Sequence, residues 1–409
     1  MATATGNERG HALYAPSAAH RWMICAASAK HNAMVKSLSS AYAAEGTVAH
    51  HVLEMSIVDG HYVASNHIGD IVDVEIEGKD SSLIVTKEMA DAVQVALDYI
   101  RPIIEESSEH YAECQVSLAL FGAPTCYGTS DFTAVVRVAG RVIVADYKHG
   151  AGVVVEVKDN PQLKIYALGT LLKLGKAMSG ITQIQTTIIQ PRIPHGDGPI
   201  RSHTYTIAEL MDFGYDVLAA IERCEAPNPE YVPGEHCHWC AIDGKCAAQA
   251  KAGADIITVV SEMADGMILS PHDQERLLER IESLGIEDFV TSLRASLHRY
   301  VEEGGTLEKY KLVPKRPSRV WLKDESQTVN ALTPLLGKKK AAVTDLYNMD
   351  LKTPAQIEKV IGKGVEARTV LAGLTASVSS GTNLVSIDDP RRAAAVSAED
   401  EFDALTPDD

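Results

Sequence analysis

Aromatic residues are scarce, 5% of 409 residues with only five Phe and three Trp. That scarcity argues against an extended stacking platform as the main mode of contact with bases or sugars. No apolar run reaches the roughly 20 residues needed to cross a bilayer. The opening "MATATGNERG" lacks the charged-then-apolar pattern of a signal peptide. A cytoplasmic protein without a membrane partner is therefore expected. Basic residues are outnumbered, 38 Lys plus Arg against 55 Asp plus Glu, for a net charge of -17. This balance works against non-specific attraction to polyanions. It leaves open local phosphate binding, where a groove gathers the cations or bound metal ions cancel the carboxylates. No G-x-x-x-x-G-K-[ST] pattern occurs, so an attached helicase motor is not expected, and no internal repeat is visible.

What is present describes a folded chain, 45% hydrophobic and long enough for one large core or two domains. Residues 1 to about 110 read mainly as helix, with apolar residues at helical spacing in "AYAAEGTVAHHVLEMSIVDG" and "TKEMADAVQVALDYIRPIIEE". A strand-rich block follows. The β-branched runs "DFTAVVRV" and "RVIVADYK", separated by Ala139-Gly140, predict an antiparallel hairpin. In "DNPQLKIYALGTLLKLG", Asn160 as N-cap, Pro161 at the first helical position and Gly175 past the end predict a helix, and "ITQIQTTIIQP" another strand. Strand–helix alternation points to an α/β or α+β core. The predicted divisions are 1–254, a mostly helical module at 255–387 opened by Ser270-Pro271-His272-Asp273, and an acidic disordered tail at 388–409.

The stretch "VIVADYKHG" ends a strand by placing Asp146 and Lys148 on one face. A hairpin turning at Ala139-Gly140 brings Asp131 beside Asp146, although fifteen positions separate them. Two neighbouring carboxylates repel, and a divalent cation with a preference for hard oxygen ligands relieves the repulsion. Such an ion polarises a phosphoryl oxygen and lowers the pKa of a bound water, and an adjacent lysine orients that water or stabilises transition-state charge. This is the chemistry of phosphodiester hydrolysis. By itself, an Asp-x-Lys at a strand end is more often a solvated pair.

The cysteines stand at 25, 114, 126, 224, 237, 240 and 246. In a reducing compartment they do not predict a disulfide framework, and clustered ones read as metal ligands. "CHWCAIDGKC" supplies Cys237, Cys240 and Cys246 as C-x2-C-x5-C, three ligands that need a fourth. Cys114, Cys126 and Cys224 read as small buried apolar residues. Further on, "KYKLVPKRPSRVWLK" (309–323) and Lys338-Lys339-Lys340 are basic runs able to follow a nucleic-acid backbone or simply to form a solvated face. "VIGKGVEAR" shares a Gly-x-Gly turn with helix-hairpin-helix modules, a weak signal alone.

Taken in order, these motifs resemble the PD-(D/E)XK nucleases, specifically their RecB-like branch. "EGTVAHHVLE" is similar to the helical motif with a metal-binding histidine, which falls on His50. "GTSD" supplies Asp131, "DYK" supplies Asp146 and Lys148, and "QLKIY" matches the Gln-x-x-x-Tyr helix with Gln162 and Tyr166. Glu113 stands where that branch often carries an acidic residue and is a candidate accessory ligand. The resemblance covers residues 11 to about 250 and implies a restriction-endonuclease-like core, a mixed central sheet flanked by helices. It further implies Mg²⁺ or Mn²⁺ held by His50, Asp131 and Asp146, a catalytic set of Asp131, Asp146 and Lys148, and substrate contacts from Gln162 and Tyr166.

Iron-sulfur members, including AddB-type enzymes and CRISPR adaptation nucleases, place one cysteine before the nuclease motifs and three after. That arrangement implies a [4Fe-4S] cluster on Cys25, Cys237, Cys240 and Cys246. Zinc, with His236 or His238 as fourth ligand and Cys25 free, is the alternative. The whole arrangement looks like phage-encoded RecB-like proteins. The expected activity is a metal-dependent deoxyribonuclease, an exonuclease in phage DNA replication or recombination within the host cytoplasm. DNA and a phage recombinase or single-strand-binding protein are the expected partners. A non-catalytic DNA- or recombinase-binding protein on the same scaffold is the rival.

Overall fold

The computed structural model describes residues 12–35, 40–263, 270–314, 318–339, 342–346, 352–362, 364–378 and 381–386. The expected acidic tail lies outside them. Two compact units make up the chain, Met1–Phe289 and Val290–Asp409.

The first unit begins with the short helices α1 (Ala19–Trp22) and α2 (Ser28–Met34), then the long α3 (Ala41–Val58). A hairpin, β1 (Ile71–Ile76) and β2 (Lys79–Ile84), leads into α4 (Lys87–Glu106). Strands β3 (Glu109–Leu118), β4 (Ala123–Val136) and β5 (Arg141–Tyr147) follow, then α5 (Pro161–Leu174), β6 (Gln183–Ile189), β7 (Ile200–Thr206) and α6 (Ile207–Glu225). Beyond the cysteine segment lie α7 (Ala247–Met263) and α8 (Pro271–Ser283), and the division between the units falls within α9 (Ile286–Glu302).

Local chemistry explains these helix boundaries. Ser40, Thr86 and Asn160 each accept a hydrogen bond from the backbone N–H three residues on, capping α3, α4 and α5. Pro161 opens α5, and Gly175, at φ 52°, closes it, as the sequence predicts.

Strands β3 to β7 form one sheet in that order, antiparallel except for the parallel β5–β6 pair that α5 connects. Val52, Leu53, Val93 and Leu97 of α3 and α4 pack on one face with Phe132, Ala145 and Tyr147. Tyr166, Ala167 and Leu171 of α5 pack on the other with Val135, Val142 and Val144. Central β5 is thus buried on both faces, and "VIVA" reads as a continuous apolar run rather than an alternation. A mixed sheet between helices is the expected architecture.

The mainly helical reading of the first 110 residues needs one correction, the β1–β2 hairpin. Its turn is Glu77-Gly78, both left-handed at φ 51° and 79°. A glutamate in that position is a weaker turn signal than Asn or Asp before Gly. The second unit is largely helical, with α10 (Glu325–Lys339), α11 (Pro354–Ile361) and α12 (Val365–Ala372) around Leu332, Leu336, Ile357 and Leu371. It adds β8 (Tyr310–Pro314) and β9 (Ser318–Trp321) from the basic run, paired with β11 (Thr382–Ser386) and β10 (Thr375–Val378) respectively. Gly362, at φ 84°, ends α11 before α12 in the Gly-x-Gly segment.

Candidate metal centre

Strand register assembles the acidic row. The β3–β4 pairs Ala112↔Phe132 and Cys114↔Ser130 set Glu113 opposite Asp131. The β4–β5 pair Phe132↔Ala145 sets Asp131 opposite Asp146. Glu113 has φ 49°, a left-handed conformation that costs a non-glycine residue about 1–2 kcal/mol. Side-chain alternation breaks there: Ala112 packs with the α3/α4 core and Cys114, two residues on, with the α5 core. Asp131 also replaces part of the strand ladder, its Oδ2 accepting the Tyr147 N–H at 2.6 Å.

His50, on α3, completes the group. Its Nδ1 lies 3.2 Å from Asp131 Oδ1, and its ring meets Tyr147 edge-on at 5.5 Å. One ligand atom each from His50, Glu113 and Asp131 falls within 4.8 Å of the other two, a spread that a single cation can bridge. Two carboxylate oxygens and an imidazole suit a hard or borderline divalent ion. Burial acts to lower the His50 pKa, but the adjacent Asp131 carboxylate overrides it and the net shift is upward. Burial and the neighbouring Asp131 push the Glu113 carboxyl up to about 7, with Glu54 adding to the effect. Glu54 lies one helical turn beyond His50; the i, i+4 spacing was its sequence signal.

Asp146 is buried, 3% exposed, and stands outside that three-ligand group. Its Oδ2 pairs with Lys148 Nζ at 2.8 Å, and its Oδ1 accepts from Gln162 Nε2 at 2.9 Å. Gln162 Oε1 in turn accepts from Lys148 Nζ at 3.0 Å, while Gln162 Nε2 also reaches the Tyr166 hydroxyl at 3.2 Å. One amide thus braces acid, lysine and tyrosine together. Burial opposes charge on Lys148, yet the Asp146 contact wins and raises its pKa. The lysine is therefore held as a cation.

Two further features were not read from the sequence. His149, 4% exposed, receives or donates a 2.9 Å hydrogen bond with the Tyr147 hydroxyl and faces Glu45 at 3.6 Å, and Arg192 joins Glu45 to Glu88. The α1 residue His20 has its pKa lowered by burial, then by the adjacent Arg21, with Lys148 contributing to the same effect.

The four cysteines named above meet as well: Cys25, Cys237, Cys240 and Cys246 line one small cavity. Burial raises the Cys25 thiol pKa and pushes Cys237 up to about 11, with the nearby Cys240 and Cys246 adding to both shifts. Neither histidine of the zinc alternative lines it. His236 Nε2 bonds Val232 O at 2.9 Å, and His238 Nδ1 faces Asp288 at 3.3 Å. Cys114, Cys126 and Cys224 are buried apart from it, as expected.

A known family accounts for nearly all of this sequence. Residues 11–392 match the family model described as "Protein of unknown function (DUF2800)", and the chain belongs to that family.

Proposed function

We propose that this protein is a metal-dependent deoxyribonuclease that hydrolyses phosphodiester bonds, using the PD-(D/E)XK motifs. The observation that carries this reading is the convergence of His50, Glu113 and Asp131 beside the Asp146–Lys148–Gln162 network. Mg²⁺ or Mn²⁺ held there would polarise a phosphoryl oxygen and supply a water of lowered pKa. His50 and Asp131 hold their places through their 3.2 Å contact and the Tyr147 amide. Lys148, kept cationic, orients the attacking water and stabilises negative charge growing on the phosphorus oxygens. Gln162 fixes the lysine and so acts as a positioning residue.

We assign the cysteine cavity to an iron-sulfur cluster. Four thiols that line one cavity, with neither His236 nor His238 among its lining residues, support this assignment. Bridging Cys25 to Cys237 closes a long loop and fastens the α1–α2 segment to the cysteine segment.

The test is a time course on end-labelled single- and double-stranded DNA, with Mn²⁺ supplied or chelated, for the wild type and Lys148→Ala. Metal-dependent cleavage lost in the variant supports the assignment. A wild-type protein that binds DNA without cutting it under any metal would place it instead among non-catalytic binding proteins.

A further inference from the structure

Beside the metal centre opens a cleft of about 790 Å³ that, of the candidate site residues, Tyr166 alone borders. It continues the site along three elements at once. Gln115 lies two residues beyond Glu113 on β3, and Thr129 two before Asp131 on β4. On α5, Tyr166, Gly169 and Lys173 extend the face that starts at Gln162. Eleven residues of helix carry this face about 16 Å from the centre.

The cleft is built, and two glycines keep it narrow. A Cβ at Gly128 would come within 3.0 Å of Pro16 and 3.2 Å of Tyr166, so glycine lets the Pro16 segment close against α5 as one wall. A Cβ at Gly169 would meet Val116 Cβ at 2.8 Å, so glycine seats α5 directly on β3 as the floor.

Its chemistry is unlike that of the rest of the chain. In a protein of net charge -17, no lining residue is acidic. The wall offers hydroxyls from Ser17, Ser117 and Thr129, apolar surface from Pro16 and Leu172, and the half-exposed ring of Tyr127. At the far end, the Lys173 ammonium donates to Gln115 O at 3.2 Å and to Cys114 Sγ at 3.4 Å, and rests over the Tyr111 ring at 5.2 Å. Cation, hydroxyls and a sequence-neutral stacking face together suit phosphate, sugar and base in turn. The volume lies in the range of pockets for small ligands, roughly 300–1,000 Å³, a size that suits single nucleotides in file.

We infer that this cleft seats the single strand on one side of the scissile phosphate, making the preferred substrate a single-stranded DNA end. The inference rests on the nuclease reading for its connection to cleavage, but not for binding. The experiment measures affinity for fluorescent oligothymidylate in Ca²⁺, with wild type, Gln115→Trp to fill the cleft, and Lys173→Gln to remove its cation. Both positions lie outside the metal centre, and thermal melts establish that each variant folds. About tenfold weaker binding is expected for either variant, with a smaller salt slope for Lys173→Gln and little competition from a blunt duplex. Unchanged affinity in the folded variants, no binding by the wild type, or equal competition by duplex would each overturn the cleft assignment. If Gln115→Trp does not fold, Lys173→Gln and the duplex competition still decide it. A parallel arm in Mn²⁺ separates the two readings. Binding without hydrolysis sinks the nuclease and leaves the cleft, whereas hydrolysis with variants indistinguishable from wild type does the reverse.

Discussion

The carboxylate of Asp131 accepts the backbone N–H of Tyr147 at 2.6 Å, so a side chain of one strand does work that a carbonyl does elsewhere in the sheet. Asp131 is consequently both a ligand and a structural acceptor, and the two roles separate by substitution. Asp131→Asn keeps an acceptor and should fold with nearly wild-type stability while losing Mn²⁺ binding. Asp131→Ala strands the amide and should cost about 1–3 kcal/mol more. Urea melts and calorimetric Mn²⁺ titrations distinguish them; equal destabilisation by both would show that the hydrogen bond does not contribute.

Metal binding should strengthen with rising pH. Glu113 is held up to about 7, and the His50 pKa is raised. Both must shed a proton to act as ligands. The signs for the metal-free protein agree: the folded state keeps the Glu113 proton that the unfolded chain loses near its ordinary pKa, so stability falls as pH rises toward and through about 7. His50 contributes stability below its unfolded pKa that is lost as pH rises through its higher folded value. Added Mn²⁺ should therefore raise the melting temperature more at pH 8 than at pH 6. A larger rise at pH 6 would contradict the assigned ligand set.

Gln162→Leu removes the brace between Lys148 and Asp146 without touching a member of the three-ligand group. Cleavage should slow about 10- to 100-fold with Mn²⁺ affinity little changed, the pattern of a residue acting through its neighbours. Loss of metal binding in parallel would make its role one of general structure.

Cys240→Ser should give a protein deficient in iron and acid-labile sulfide, without the brown colour of anaerobically prepared wild type, and with a lower urea midpoint. Zinc in the wild type at one ion per chain, with no sulfide, would replace the cluster assignment.

Gly169→Ala tests the close approach of α5 to β3. The new methyl group would overlap Val116 Cβ at 2.8 Å, two atoms fixed to backbone, so destabilisation of about 1–3 kcal/mol is expected in a denaturant melt. A neutral result would mean that the helix can shift outward freely.

Features governed by local rules were legible in the chain. Asn160, Pro161 and Gly175 marked both ends of α5, and Ala139-Gly140 marked the hairpin that places Asp131 beside Asp146. The β1–β2 hairpin was not legible, because Glu77-Gly78 turns with a residue that rarely adopts φ above zero. Glu113 stood in the sequence as an accessory candidate. Its left-handed backbone and its register opposite Asp131 bring it into the same ligand group.

By itself, the sequence determined the β4–β5 hairpin, the ends of α5 and which acids, amines and thiols were available, since capping, turn geometry and alternation act over a few residues. Tertiary structure alone decided which of them touch: His50 on Asp131, Gln162 between Lys148 and Asp146, and Cys25 at the cavity of Cys237. Those contacts depend on how helices dock across a sheet. Docking is set by the summed packing of many apolar side chains, a quantity that no short stretch of sequence contains.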